Sequence, residues 1–478
     1  MNNKISTISN LIWRFAERSG AQIVSFVVTI VLARILTPED YGVVAIVTVF
    51  TSILQVFVDS GLAVSLIQKK DADDLDFSTV FYFNIFFCVV LYFILFLSAP
   101  LIADFYAEEQ LTALIRVLGL TLIISGLKNV QQAYVSKKLL FKKFFYATLG
   151  GTIFSAILGI YFASIGFGVW AIVIQGLSNK IIDTIILWIT VKWRPIKAFS
   201  IERLKKLYSF GLKILISQLL GSIYENLRQL IIGKMYSTSD LSFYNKGKQM
   251  PNLVITNINT SIDSVLLPVM SEAQNDIVKL KNMVRRSIVT STYVIFPVMV
   301  GLAVCSESII LLLLTEKWSE VIPYMQIFCI MYAVHPMHTA NLNALKAMGR
   351  SDLFLKLEII KKVIGLIVLF SVIKYGPLAM AYSTVFTTII SSFINAYPNK
   401  KLIGYSYFEQ IKDLFPSILL STFMGFCIWW IQYLPIASIF VLIIQIITGV
   451  GIYVLGSIVF KMETFHYVLG TVKDFRKK

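Results

Sequence analysis

Two sets of polar residues recur at helical spacing inside otherwise apolar stretches. Arg14, Arg18, Gln22, Ser25 and Thr29 follow at intervals of four, four, three and four, which places all five on one helix face. Lys213, Ser217, Gly221, Tyr224 and Arg228 repeat the same intervals about 200 residues later. Each set opens with a cation and continues with hydroxyl, amide or small residues. Arg and Lys in a low-dielectric setting hold anions through charge-assisted hydrogen bonds, and the Arg fork matches phosphate in particular. The chemistry on offer is therefore the binding of a polar anion. Arg14, Arg18, Lys213 and Arg228 would meet its charge, and Gln22 and Tyr224 its hydroxyl groups. Asp59, Asp183, Glu225 and Asp263 are acids set among apolar residues, candidates for binding a coupling ion or for balancing charge. For Arg14, Arg18, Lys213 and, at greater depth, Arg228 the alternative is snorkelling to lipid headgroups, and for Arg228 also simple neutralisation by the adjoining Glu225 and Asn226.

The elements that must position these residues are long apolar segments. The chain has 478 residues, of which 57% are hydrophobic and 15% charged, and its mean hydropathy is +0.76. About fourteen segments of roughly 20 residues recur from Ser19 to Phe460, each long enough to cross a ~30 Å hydrocarbon core as a helix. Within lipid each segment must satisfy its own backbone polar groups, so the predicted class is an all-α polytopic membrane protein. The tyrosines and phenylalanines fit interfacial belts.

Lys and Arg fall in every second loop. Lys69 and Lys70, then Lys137 to Lys143, Lys192 to Lys206, Lys279 to Arg286, Lys346 to Lys356, Lys400 to Lys412 and the tail from Lys473 mark one face. Intervening loops such as Thr37-Pro38-Glu39-Asp40 and Ile165-Gly166 are almost free of base. The positive-inside rule then predicts that both termini are cytosolic, which requires an even number of spans. The net charge of +16 is read as topology signal and attraction to anionic headgroups, with no nucleic-acid partner.

An internal repeat accompanies this pattern. Ala33-Arg34-Ile35-Leu36-Thr37-Pro38-Glu39-Asp40 ends the first span and Gly233-Lys234-Met235-Tyr236-Ser237-Thr238-Ser239-Asp240 ends the seventh, an offset of 200 residues. Asp40 and Asp240 read as N-caps of the helices that follow. Six spans lie between the copies, which predicts two six-helix bundles in parallel two-fold repeat with two extra helices at the C-terminus. The expected divisions are residues 1–195, 196–400 and 401–478.

Other motifs carry less. Cys88, Cys305, Cys329 and Cys427 share no close spacing, so neither a disulfide nor a zinc site is expected. His335-Pro336-Met337-His338 has no carboxylate within a turn, so no metal is expected there. Asp71-Ala72-Asp73-Asp74-Leu75-Asp76 reads as a solvated loop with Asp76 as a cap. Lys246 and Lys248 read either as interfacial lysines or as receivers of an anion on the outer side. No Gly-x-x-x-x-Gly-Lys-Ser/Thr loop occurs, which removes an ATP-driven exporter, and no cofactor is expected.

Three stretches together resemble a known family. Ala33 to Gly42, Val58-Asp59-Ser60-Gly61-Leu62, and Asn343-Ala344-Leu345-Lys346-Ala347-Met348-Gly349-Arg350-Ser351-Asp352 are similar to polysaccharide transporters of the MOP exporter superfamily, with the WzxC type of lipopolysaccharide and capsule flippase as the closest branch. The resemblance implies a MATE-like fold of fourteen spans and a cationic central cavity. It implies a flippase, not an enzyme, that carries an undecaprenyl-pyrophosphate-linked oligosaccharide across the bacterial inner membrane by alternating access. A glycan polymerase and glycosyltransferases would be its partners. The competing readings are a cation-coupled drug exporter of the same superfamily, which usually centres on acidic residues, and a membrane-embedded glycan polymerase or transferase, which usually has a large external loop.

Overall fold

The computed structural model describes the backbone of residues 2–59 and 62–476; the side chains of residues 2–12, 14–16, 18, 209–211, 213–214, 260–265 and 471–476 lie outside the description. Regular structure among the described residues is entirely helical. Packing divides the chain into two compact units, Met1–Ser242 and Phe243–Lys478.

The first unit holds α1 (Asn2–Ile35), α2 (Pro38–Asp59), α3 (Leu62–Gln68), α4 (Asp74–Tyr106), α5 (Gln110–Lys137), α6 (Phe141–Ser164), α7 (Val169–Thr190), α8 (Ile201–Met235) and the first turn of α9 (Thr238–Glu272). The pairs α4/α5 and α6/α7 form antiparallel hairpins, α1 lies on α6, and α8 docks on α2, α3 and α4. Gly151 lets α6 approach α7 closely: a Cβ there would stand 3.0 Å from the Asn179 carbonyl oxygen. One core cluster gathers Phe77, Phe81, Val130, Leu187 and Trp193, with Trp193 ringed by Phe77 and Tyr134 at 5.8 and 6.1 Å.

The second unit holds the rest of α9, then α10 (Ile277–Val304), α11 (Ser306–Leu313), α12 (Val321–Ala333), α13 (His335–Ala347), α14 (Ser351–Val372), α15 (Pro377–Leu402), α16 (Tyr407–Trp429), α17 (Ser438–Val459) and α18 (Glu463–Arg476). Here α10 packs on α12, α13 and α16, while α15 packs on α12, α13 and α14. Met270, Leu280, Ile288, Met337, Ala344 and Leu414 lie in one of its cores.

The repeat is visible in atomic detail. Thr37 donates its N–H and hydroxyl to Asp40 Oδ2 at 2.9 and 2.8 Å, and Asp40 N–H returns a bond to Thr37 Oγ1 at 3.2 Å. Ser237 and Asp240 make the same three bonds at 3.1, 2.6 and 3.0 Å. Both corners are capping boxes. Thr37 and Ser237 are thus the caps, and Asp40 and Asp240, expected as caps, stand three residues on. A hydroxyl fits the cap and leaves the longer carboxylate to reach back.

The acidic loop differs from expectation in the same way. Asp73 caps α4 and Asp76 is its partner in the box. Asp76 is fully buried and paired with Lys69 at 2.5 Å and Arg203 at 3.3 Å. Arg203 also reaches Asp73 at 2.5 Å. The chain between α7 and α8 is strapped along α4: Trp193 Nε1 donates to Asp74 Oδ1 at 3.1 Å, Ile196 N–H to Ser78 Oγ at 2.9 Å, and Ser200 N–H to Thr79 Oγ1 at 3.1 Å. The expected division at residue 195 follows the repeat, whereas the first packing unit runs on through α8.

Among the described residues, nine helical stretches are long and apolar enough to cross a membrane, and Ser19–Ile35 is a shorter apolar one. The other expected spans fall on α8, α9, α14 and the α12–α13 pair. The first three carry charges or amides along their length, among them Arg228, Asn259 and Lys361. The apolar stretch Ile322–Leu345, one of the fourteen expected spans, is broken at Val334, because Pro336, just inside α13, cannot continue the ladder of α12. The apolar stretch Tyr41–Ile67, one of the expected spans, covers α2 and α3, and residues 60–61 between them lie outside the description.

Candidate functional site: two polar stripes and an interior charge cluster

The first stripe lies on α1 and the second on α8. The side chains of Arg14, Arg18 and Lys213 are outside the described residues, as is that of Asp263 on α9. Gln22 and Glu225 are exposed, and Tyr224 and Arg228 are half-buried. Next to Arg228, Gln229 Nε2 donates to Asn226 Oδ1 at 3.1 Å and Asn226 Nδ2 to the Ser222 carbonyl at 2.9 Å. These local bonds settle the amides of α8 along its own axis. On α1, Trp13 packs edge-on against Phe145 of α6 at 5.2 Å, and buried Glu17 accepts from Thr148 Oγ1 at 3.2 Å. An acid between Arg14 and Arg18 is thereby turned toward α6.

The fold does bring two of the predicted acids together. Asp183 of α7 forms an ion pair with Lys128 of α5, and both side chains are almost wholly buried. Lys180, one turn before Asp183, and Asp59 at the end of α2 act on the same group electrostatically. Asp59 also accepts from Gln55 Nε2 at 2.8 Å. Two acids and two bases from α2, α5 and α7 thus stand near one another, and in the buried Lys128–Asp183 pair neutralisation offsets the cost of burial.

Around this cluster stand residues that pattern reading passed over. Asn129 Nδ2 donates to the Val58 carbonyl at the end of α2, and Asn179 Nδ2 to Ser155 Oγ at 3.2 Å. The signal in the sequence was Lys128-Asn129 followed by Gln131 inside an apolar helix. In the second unit His335 and His338 are held by amides. Asn259 Nδ2 meets His335 Nδ1 at 2.6 Å and Asn395 Nδ2 meets His338 Nδ1 at 2.9 Å. Gln410, Asn341 and Asn399 form a further buried network, with Asn341 Nδ2 donating to Gln410 Oε1 at 2.8 Å and Asn399 Nδ2 to Asn341 Oδ1 at 2.7 Å. The Lys246 ammonium stands 5.7 Å from the centre of the Trp318 ring, within reach of a cation–π contact.

Comparison with known proteins agrees with this architecture. The chain is 26% identical over 380 residues to the teichuronic acid biosynthesis protein TuaB of Bacillus subtilis, covering 77% of this chain and 76% of the relative. It is 23% identical over 406 residues to the lipopolysaccharide biosynthesis protein WzxC of Escherichia coli, covering 82% and 80%. Its fold is that of the lipid II flippase MurJ in an inward closed conformation, with a TM-score of 0.72 at 17% identity over 95% of this chain and 98% of that one. A family model described as polysaccharide biosynthesis protein matches residues 31–323, more than half of the chain, and the protein belongs to that family.

Proposed function

We propose that the protein is a flippase that carries an oligosaccharide on undecaprenyl pyrophosphate, such as an O-antigen, capsule or exopolysaccharide repeat unit, from the cytosolic to the periplasmic leaflet of a bacterial inner membrane. One observation carries the reading: in a chain of the polysaccharide biosynthesis family, α1 and α8, the equivalent helices that end in the two capping boxes, bear the two cationic stripes. A pyrophosphate is at least dianionic and leaves water only for a site that supplies Arg or Lys. Arg14, Arg18, Lys213 and Arg228 supply it, Gln22 and Tyr224 receive sugar hydroxyls, and the lipid tail stays in the bilayer. No covalent bond changes, so the protein is a transporter and needs no cofactor.

Alternating access then consists of the first six-helix half, residues 1–195, rocking against residues 196–400, with residues 401–478 appended and both termini in the cytosol. Asp183, already paired with Lys128, balances charge. Asp59, Glu225 and Asp263 are the acids left as candidates for a coupling ion. Glycosyltransferases that make the cargo and a polymerase that consumes it are the expected partners. The test is glycan export in cells carrying Arg228→Ala or Arg18→Ala. Export is lost while the protein inserts normally, and the Lys variants recover part of it because charge is kept and the bidentate fork is not. Full export in both Ala variants would refute the site.

A further inference from the structure

Away from both stripes, a cavity of about 1300 Å³ opens in the second unit between α10, α16, α17 and α18. Phe415, Leu419 and Phe423 of α16 and Leu455 and Val459 of α17 line it, each more than half exposed. From Lys412 to Phe423 a helix rises roughly 16 Å, about half of a ~30 Å hydrocarbon core and so the depth of one leaflet. The volume exceeds the roughly 300–1,000 Å³ of sites for drug-sized ligands, leaving room for more than one hydrocarbon chain.

The mouth of this groove is charged. Arg285 forks onto Asp413 at 2.8 and 2.7 Å, and Tyr405 donates to the same carboxylate at 2.7 Å, so that pair is neutral within itself. Exposed Arg286 and Lys412 remain, against Glu463. The guanidinium of Arg286 stands 3.5 Å over the Tyr467 ring of α18. Its position is therefore set before any ligand arrives, which lowers the entropy lost on binding.

We infer that this groove holds one anionic two-chain phospholipid of the bilayer, its phosphate between Arg286 and Lys412 and its acyl chains along α16 and α17. A neutral lipid fills the apolar walls but leaves the excess positive charge of the mouth, Arg286 and Lys412 against Glu463 alone, unmet. So does an apolar helix of a second copy. An anionic headgroup satisfies both ends of the site, and the bound lipid joins α16, α17 and α18 to α10. The inference is independent of the cargo assigned above.

The experiment is native mass spectrometry on the full-length protein in detergent, titrated with dioleoylphosphatidylglycerol or dioleoylphosphatidylcholine. One phosphatidylglycerol per chain is expected to remain bound, at least ten-fold tighter than phosphatidylcholine. Arg286→Gln with Lys412→Gln lowers that affinity about thirty-fold, the worth of two cations near a headgroup. Leu455→Trp weakens both lipids, and Lys356→Gln on α14 changes neither. Equal binding of the two lipids by the unaltered protein overturns the inference, and that comparison decides even where a groove variant fails to fold. Undiminished phosphatidylglycerol binding by a monodisperse double-Gln variant overturns it too. One-for-one displacement of phosphatidylglycerol by undecaprenyl phosphate assigns the groove to a prenyl chain and equally ends the inference.

Discussion

The Cα of Gly42 lies directly against the backbone carbonyl of Thr238, so that a Cβ on residue 42 would overlap that oxygen. Gly42 stands near the start of α2 and Thr238 opens α9. The two capping-box corners, 200 residues apart in sequence, therefore touch. Gly42→Ala forces the backbone of the second corner aside and should destabilise the protein by about 1–3 kcal/mol, the usual cost of overpacking. Thermal unfolding of the purified protein measures it. Gly221→Ala, where nothing lies within 4 Å of the added carbon, should leave the midpoint unchanged or raise it through helix propensity.

That contact also bears on transport. If the corners must part during the cycle, cysteines placed at Thr37 and Ser237 and joined by a short crosslinker should stop export, and a long flexible linker should not. Export that continues with the short crosslink formed would mean the corners stay together throughout.

The Lys128–Asp183 pair predicts strongly non-additive mutations. Lys128→Met or Asp183→Leu alone strands a buried charge and should cost about 3–5 kcal/mol. The double variant removes both charges and should recover most of that loss. A double-mutant cycle on unfolding midpoints checks it; additive losses would show that the charges are solvated separately.

The strap between α7 and α8 should respond to acid. The Arg203 guanidinium, followed by the Asp76 N–H, holds the Asp73 carboxyl down at about 2, below its ordinary 3.8. A depressed acid contributes fully above its ordinary value, and the contribution is lost as pH falls through the folded one. Amide exchange at Ile196 and Ser200, followed from pH 5 to pH 2, should show protection falling across that window. Asp73→Asn should weaken protection at pH 5 and remove the dependence.

Topology gives a further test. Single cysteines in the basic helix ends and connections around Lys137, Lys205, Arg285 and Lys400 should resist a membrane-impermeant thiol reagent added to intact cells. Labelling of any one of them would break the proposed orientation.

The sequence alone determined the helical membrane class, the alternation of basic loops and the repeat, because each is written in local composition or in spacing along one chain. It also suggests both stripes, since a 3.6-residue period needs no partner to be seen. Only the tertiary structure decided which polar residues meet. Lys128 and Asp183 are 55 residues apart, and Arg203 and Asp73 are 130; nothing periodic joins them. Asp76 reads as a solvated cap until α8 brings Arg203 over it. The break at Val334 and the exchange of roles between Thr37 and Asp40 are likewise settled by backbone hydrogen bonding, which apolar length does not record. The groove at Arg286 and Lys412 is assembled from four helices, so its walls read in sequence as ordinary lipid-facing residues.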